Sequence, residues 1–152
     1  MTSHTAIAAQ VITQLLREDR ITDGARYRGL YQAAKRMLAD REAAHGWDAA
    51  KAWMRSWSAR HLSPVEQWVV AAATGDGRIE SHEAAVRCAR ECIPYMTDTE
   101  IRMIPSIMYA DHTDDGVTTR ADAREALLSL VEEALGADEA ARVASLTEPT
   151  SW

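Results

Sequence analysis

Helix start signals divide this sequence into a series of short helical segments. Ser63-Pro64-Val65-Glu66 and Thr97-Asp98-Thr99-Glu100 each place a capping hydroxyl three residues before Glu, a pattern that opens a helix. Helix-forming residues, chiefly Ala, Leu, Glu and Arg, fill the segments between such signals, while long alternating runs of β-branched residues are missing. These features predict an all-α fold of seven or eight helices, the first near residues 5–18 and the last near residues 137–146.

Proline and glycine positions indicate where several predicted helices end. Pro94 closes a helix that begins near Ser81, and Gly136 ends the helix that follows Thr119. Pro105 lies inside the predicted sixth helix and should kink it or delay its start. No long linker interrupts the pattern, so we predict a single compact domain. Its parts are a helical half at 1–62, a paired helix–loop–helix unit at 63–135, and a helix and tail at 136–152.

The formal charge of −6 is unevenly distributed, with +4 on residues 1–62 and −10 on residues 63–152. We interpret the basic half as solvated helix faces, because a nucleic-acid surface needs a denser basic patch. No apolar run approaches the roughly 18 residues expected of a membrane span, and the start lacks the pattern of a signal peptide. Cys88 and Cys92 share a helix face in poor geometry for a disulfide, and free thiols fit a reducing compartment. We therefore predict a cytoplasmic protein without nucleic-acid or membrane partners.

Residues 111–122 carry oxygen-bearing side chains at loop positions 1, 3, 5, 9 and 12, with Gly116 at position 6. Calcium takes roughly six to eight oxygen ligands, and a glycine permits the sharp bend that wraps a loop around the ion. Val117 would supply a backbone carbonyl, and Thr119 would act through water. The predicted metal ligands are Asp111, Thr113, Asp115, Val117, Thr119 and Asp122.

Two positions depart from the usual calcium loop. Asp122 replaces the usual Glu at position 12, and its shorter side chain predicts weaker calcium binding with a relative shift towards magnesium. Thr118 stands at position 8, where an aliphatic residue is usual. The alternative interpretation needs no metal: Asp111 and Asp115 would stabilise a turn, while Thr119 and Asp122 would cap a helix.

A second loop, at residues 72–83, keeps Asp76-Gly77 and Ile79 at the corresponding positions 5, 6 and 8. Ala72 stands at position 1, so the usual first carboxylate ligand is missing. We expect this loop to be free of metal at physiological calcium. Its expected role is to pair with the 111–122 loop, so that Ile79 and Thr118 meet in a short two-stranded bridge.

The two loops and their flanking helices make residues 63–135 resemble the EF-hand superfamily, in particular bacterial calerythrin-like and sarcoplasmic calcium-binding proteins. Trp68 and Ile107 occupy the apolar position four residues before each loop. The segment from Asp19 to Gly24 resembles the remnant of a further loop, to which we assign no metal. The resemblance implies a helical cup with one weak or vestigial calcium site.

A rival resemblance, to tellurite-resistance-type helical domains, involves residues 70–83. This segment combines an Ala-rich helix, Asp76-Gly77 and aliphatic Ile79 with a later Glu. The second loop matches that pattern less well, because Thr118 replaces the aliphatic residue. Both families are helical and both place acidic groups beside an Asp-Gly turn.

The large apolar side chains are the remaining candidates for a binding surface. They could line a groove for a protein segment or a small apolar molecule, or they could simply fill the core of a chain that lacks Phe. The residues concerned are Trp47, Trp53, Trp57, Trp68, Met37, Met54, Met96, Met103 and Met108.

The sequence thus leads to more than one functional hypothesis. The first is an EF-hand-like binding or regulatory protein with a weak calcium site and a Trp/Met-lined groove. The alternative is an enzyme or small-molecule carrier that uses an inter-helix cavity on a calcium-independent scaffold, and a third is a scaffold that docks through its basic half. No phosphate-binding loop, nucleophile elbow or zinc-protease helix identifies catalytic residues.

Overall fold

A computed structural model describes residues 3–18, 26–76 and 78–149 of the chain. Within these ranges the backbone forms eight α-helices and no β-strand, which confirms the predicted all-α fold. The predicted loop remnant at residues 19–24 lies outside the described ranges. The helices are α1 (His4–Arg17), α2 (Arg28–His45), α3 (Trp47–His61), α4 (Pro64–Ala73), α5 (His82–Cys92), α6 (Asp98–Asp111), α7 (Arg120–Leu135) and α8 (Ala137–Leu146).

The first helix, α1, lies at the centre of the larger of two apolar cores. Ile7, Ile12 and Leu16 are each at most 1% exposed, although they lie on different sides of the helix. A surface helix buries only one stripe, whereas a helix that is apolar all round needs neighbours on every side. Helix α1 packs chiefly against α5, α6 and α7, with further contacts to α4. The first helix of the predicted N-terminal half is therefore enclosed largely by helices of the 63–135 region.

Helices α2 and α3 form a hairpin that packs on α4 and builds a smaller core. Among the described residues, the main packing partners of α3 are α2 and α4. The hairpin turns at Gly46, whose φ of +87° is accessible to glycine at little cost. The buried side chains of this smaller core are Ala34, Leu38, Ala50, Met54 and Val70.

Side-chain caps explain why α4 and α6 begin where they do. Ser63 and Glu66 form a complete capping box at the start of α4, and Thr97 and Glu100 form another at the start of α6. In α6 the box fixes the first turn at Asp98, seven residues before Pro105. The helix then continues through Pro105 to Asp111, so the predicted delay of its start is wrong.

The helices are short relative to a lipid bilayer, and the longest carries many polar residues. This helix, α2, has 18 residues, of which only Ala34 and Leu38 are fully buried. No helix in the described part of the chain is long and apolar enough to cross a membrane.

Candidate functional site

A groove of about 360 Å³ lies between α3, α4 and α5, where the smaller core meets the larger one. We call it the α3–α4–α5 groove. Its apolar wall includes Met54 from α3 and Trp68 and Val70 from α4. These three side chains are at most 8% exposed and are fixed by the two cores behind them. A volume of this size falls within the range of small-ligand sites, roughly 300–1,000 Å³.

An ion-pair cluster around Asp76 forms one polar part of the groove. The Asp76 carboxylate lies 2.7 Å from Lys51 Nζ and accepts hydrogen bonds from Arg55 Nε and Nη2 at 2.9 and 3.2 Å. Both cations project from α3, one helical turn apart. The cluster therefore connects the loop after α4 to the α2–α3 hairpin.

The protonation equilibrium of Asp76 reflects this pairing. Burial alone would raise the pKa of the Asp76 carboxyl, because it disfavours the charged form. The hydrogen bonds and charges of Arg55 and Lys51 outweigh that effect and hold the pKa of Asp76 below its usual range. Asp76 is therefore ionised at neutral pH, and its charge is matched by cations of the protein itself.

Arg87, on α5, forms the second polar part of the groove. Its guanidinium lies over the Trp68 ring, with the Arg87 Cζ atom 4.8 Å from the ring centroid. Arg87 Nε lies 3.3 Å from Glu91 Oε1, one turn further along the same helix. The side chain of Arg87 is 64% exposed, so its charged end is open to solvent at the groove.

Neutral polar side chains of the groove direct their hydrogen bonds to the protein backbone. Thr74 Oγ1 donates to the Ala71 carbonyl at 3.2 Å, and Gln67 Nε2 donates to the Leu62 carbonyl at 3.0 Å. Both contacts satisfy carbonyls near helix ends, which lack partners within their own helix. Charged groups are therefore the more accessible means by which this groove can recognise a polar ligand.

The Trp and Met residues that were predicted from the sequence to form one candidate surface lie in different parts of the structure. Met54 and Trp68 line the α3–α4–α5 groove, whereas Met108 is fully buried in the larger core. Trp53 and Trp57 stack on each other along α3, with ring centroids 6.1 Å apart and planes 9° apart. The remaining members lie elsewhere: Trp47 and Met103 are exposed, Met37 packs on the smaller core, and Met96 is buried in the larger one.

The predicted calcium loop is a tight turn between α6 and α7. Residues 113–115 form one turn of 3₁₀-helix, and Gly116 follows in the left-handed region at φ +90°. The Val117 amide donates back to the His112 carbonyl at 3.2 Å, and the Val117 side chain is fully buried. The bend predicted at Gly116 is therefore present, and the buried side chain of Val117 anchors it.

The side chains of this loop bond chiefly to one another and to the start of α7. His112 Nδ1 lies 2.9 Å from Asp115 Oδ2, and the Thr119 hydroxyl accepts a hydrogen bond from the Asp122 amide at 3.0 Å. Thr118 Oγ1 lies 3.5 Å from Asp122 Oδ2. These contacts correspond to the turn-and-cap arrangement that the sequence left open as the alternative to metal binding.

The six predicted ligands all lie on the α6–α7 connection, but their carboxylates are not assembled around one point. Asp111 ends α6, Asp115 lies in the 3₁₀ turn, and Asp122 lies in the first turn of α7. Over residues 3–18, 26–76 and 78–149, no three His, Cys, Asp or Glu side chains form a group that could hold a metal ion. Closure around a cation would require these carboxylates to move together, and Thr113, Val117 and Thr119 would complete the oxygen set.

The 72–83 loop does not pair with the 111–122 loop in the predicted way. No β-bridge joins Ile79 and Thr118. The Ile79 carbonyl instead accepts a hydrogen bond from Gln10 Nε2 at 2.9 Å, while Ile79 is buried and Thr118 is exposed. Helix α1 thus supplies the partner that the bridge would have provided, because it lies against both loops' helices in the larger core.

The cysteines occupy the interior of the larger core. Cys88 and Cys92 are free and buried, and the Cys88 thiol donates to the Ala9 carbonyl at 3.7 Å. A hydrogen bond with Cys92, together with burial, raises the pKa of the Cys88 thiol well above its usual value. A thiol held in its protonated form is a poor nucleophile and a poor metal ligand.

One surface arrangement superficially resembles a nucleophile with its base. His82 Nδ1 lies 3.4 Å from the Thr5 hydroxyl, and His82 Nε2 lies 2.5 Å from Glu133 Oε2. The side chains of His82 and Glu133 are each about half exposed. The arrangement links α1, α5 and α7 at the protein surface.

The charged residues of the groove were not singled out by the sequence analysis, apart from Asp76. Lys51 and Arg55 are four residues apart on one helix, which indicates a shared face but not the loop that the face meets. Arg87 and Glu91 have the same spacing. The sequence signal for the charged part of the site was therefore two pairs of charges at helical spacing near an Asp-Gly turn, whereas Met54 and Trp68 of its apolar wall were among the predicted candidates.

Comparisons of the chain with protein-family models, with curated proteins and with solved structures gave no match.

Proposed function

We propose that this protein binds a small organic ligand in the α3–α4–α5 groove. The observation that carries the proposal is the combination of a rigid apolar wall, at Met54, Trp68 and Val70, with charged groups at Asp76 and Arg87. Small-molecule sites typically have this composition, in which apolar surface supplies affinity and a few polar groups fix orientation. The alternative, a catalyst on the same scaffold, would use the same cavity.

The test is to map binding of a neutral probe, 2-naphthol, by amide chemical shifts of the ¹⁵N-labelled protein. We expect saturable shifts centred on Val70, Ala71 and Thr74, which line the groove. The variant Ala71→Trp should abolish these shifts, because an indole at this position fills the cavity.

Ala59→Trp is the matched control, because Ala59 lies on α3 but is exposed and does not line the groove. It should bind the probe as the parent protein does. Shifts scattered over the surface, or undiminished binding by a folded Ala71→Trp protein, would contradict the proposal.

A second candidate function is weak cation binding by an EF-hand-like unit formed by α6, the 111–122 loop and α7. The helix–loop–helix order and the left-handed Gly116 support it, together with the exposed carboxylates of Asp111, Asp115 and Asp122. We propose calcium, with magnesium as the competing ion, and a regulatory role in a reducing cytoplasm where Cys88 stays a thiol. The contact between His112 and Asp115 would have to open for the cation to bind.

Two variants of neighbouring aspartates test this second candidate by calorimetric titration with calcium and then magnesium. Asp115→Asn removes a proposed ligand at loop position 5 and should eliminate binding. Asp114→Asn removes the same charge at position 4, which is not a ligand position, and should change affinity only slightly. Equal losses in the two variants would indicate general attraction to an acidic surface, and no heat in the parent protein at millimolar calcium would refute the candidate.

A further inference from the structure

We infer that the ligand of the α3–α4–α5 groove is an organic anion with an apolar body, whose charged group is held by Arg87, while Arg55 adds positive charge to the groove. This inference rests on the proposed binding function and adds the chemical class of the ligand. Its basis is a difference between the charged groups of the groove: the acids are paired with protein cations, whereas the two arginines keep N–H groups that have no partner in the described part of the chain.

Of the two acids that line the groove, Asp76 and Glu91, Asp76 makes the closer contacts with cations. It contacts both Lys51 and Arg55, at 2.7 and 2.9 Å, and only 21% of its side chain is exposed. A cationic ligand would have to displace one of these partners and would then meet the other one. The cluster formed by Lys51, Arg55 and Asp76 carries a net charge of +1, so it favours an anion over a cation.

Arg87 differs from Asp76 in its contacts. Trp68 and Glu91 orient its guanidinium, but most of its N–H groups have no partner in the described part of the chain. Arg87 Cζ lies 4.8 Å over the Trp68 ring, and the one ion pair of Arg87 among the described residues, to Glu91, involves Nε. The two terminal nitrogens therefore remain to donate to a carboxylate or sulfonate, the anions that match their fork geometry. Trp68 presents the adjacent apolar surface, so one ligand can contact both.

Arg55 has a similar arrangement on the other polar side of the groove. Its Nε and Nη2 atoms bind Asp76, which leaves Nη1, and 61% of its side chain is exposed. Arg55 and Arg87 come from α3 and α5, on either side of α4. Arg55 therefore adds positive charge on the hairpin side of the groove, which further favours an anionic ligand.

The test compares three probes with one ring system and different charges: 2-naphthoate, 2-naphthol and 2-naphthylmethylammonium. Their dissociation constants are measured from groove amide shifts in the full chain at pH 7 and low salt. We expect 2-naphthoate to bind at least about tenfold more tightly than the ammonium compound, since the arginines make charge-assisted hydrogen bonds with a carboxylate but repel an ammonium group. Arg87→Gln should reduce this preference to less than about threefold.

Arg87→Lys and Arg102→Gln complete the design. Arg87→Lys keeps the charge and should retain part of the anion preference. Arg102→Gln removes an equivalent charge from the exposed face of α6, away from the groove, and should retain all of it. Circular dichroism establishes that each variant is folded before binding is compared.

The outcomes separate failure of this inference from failure of the proposed function. If none of the three probes shifts the groove amides, the proposed function is wrong and the inference falls with it. If 2-naphthol binds in the groove but the anion shows no advantage over the cation, only the inference is overturned. An anion preference that Arg102→Gln lowers as much as Arg87→Gln does would also overturn it, because the charge effect would then be general.

Discussion

The larger core around α1 and the smaller core between α2, α3 and α4 differ in size and in the number of helices that enclose them. In the described part of the chain, the larger core has 30 buried apolar residues from six helices and their connections, whereas the smaller core has five. The first surrounds α1, most of whose residues are buried, while the second belongs to a hairpin held chiefly on α4, with fewer contacts between α2 and α1. Local unfolding costs the least free energy where few apolar contacts are lost. The α2–α3 hairpin should therefore be less stable than the larger core.

The α3–α4–α5 groove lies where these two units meet, and this position has a functional consequence. One wall belongs to the less stable hairpin through Met54 and Arg55, and the opposite wall belongs to α5 of the larger core through Arg87. A ligand that contacts both walls stabilises the hairpin in its packed position by mass action. Ligand binding and hairpin docking are therefore expected to be linked.

The largest expected effect comes from a cavity in the larger core. Ile12 is fully buried at the centre of α1, and Ile12→Ala should lower the free energy of unfolding by roughly 3 kcal/mol. Because α1 contacts most of the other helices, the loss should be global. Hydrogen exchange should therefore accelerate in α5, α6 and α7 together with α1, and urea unfolding should move to lower concentration as one transition. Faster exchange confined to α1 would contradict the central role of this helix.

A cavity in the smaller core should have a smaller and more local effect. Met54 is 1% exposed, and Met54→Ala should lower the free energy of unfolding by about 2 kcal/mol. The cost is modest because the α2–α3 hairpin, packed chiefly on α4, can partly collapse into the cavity. Amides of α2 and α3 should exchange faster, while those of α1 and α7 stay nearly unchanged. Uniform acceleration across all helices would show that the two cores open as one unit and would remove the distinction between them.

Local patterns in the sequence determine the helices well, but they do not determine how the helices pack. Both capping boxes, at Ser63 and Thr97, act as predicted, because a cap involves groups only three residues apart. Gly46 and Gly136 end helices for a similarly local reason, with φ of +87° and +97°. These features explain why the number and approximate limits of the helices followed from the sequence.

Features that depend on how the helices pack in three dimensions were either not predicted from the sequence or predicted with the wrong partner. The partner of the Ile79 carbonyl is Gln10, 69 residues away, and no local pattern connects the two. Asp76 binds Arg55, 21 residues earlier, although the sequence indicated only that Asp76 belongs to a turn. Loop spacing likewise identified the oxygen atoms of 111–122 but gave no information on whether their carboxylates converge. The candidate site depends on these long-range contacts, and so it was less predictable than the fold.

Removal of the cap that begins α4 should weaken the attachment of the hairpin. Ser63→Ala leaves the Glu66 amide without its hydroxyl acceptor and should cost about 1 kcal/mol, or a thermal midpoint lower by roughly 2–4 °C. The matched variant Thr97→Ala breaks the equivalent box of α6, inside the larger core, at a similar cost. The comparison lies in hydrogen exchange: Ser63→Ala should accelerate exchange in α2 and α3, whereas Thr97→Ala should not. Identical exchange patterns would indicate that α4 does not control the hairpin.

The smallest expected effect concerns the ion-pair cluster that links the hairpin to the 72–83 loop. The pKa of Asp76 is lower in the folded protein than its ordinary value of about 4, so the carboxylate stabilises the folded state above that pH. This contribution is lost as the pH falls through the folded pKa, because both states then bind the proton. Asp76→Asn should therefore cost about 1 kcal/mol or less at pH 7, since the cluster is partly exposed, and should cost less near pH 3. Urea unfolding at both pH values, with exposed Asp114→Asn as the control, measures this difference. A cost that is equal at both pH values would mean that the Asp76 carboxylate does not hold the hairpin by its charge, and the link between groove and hairpin would then rest on Met54 and its apolar neighbours alone.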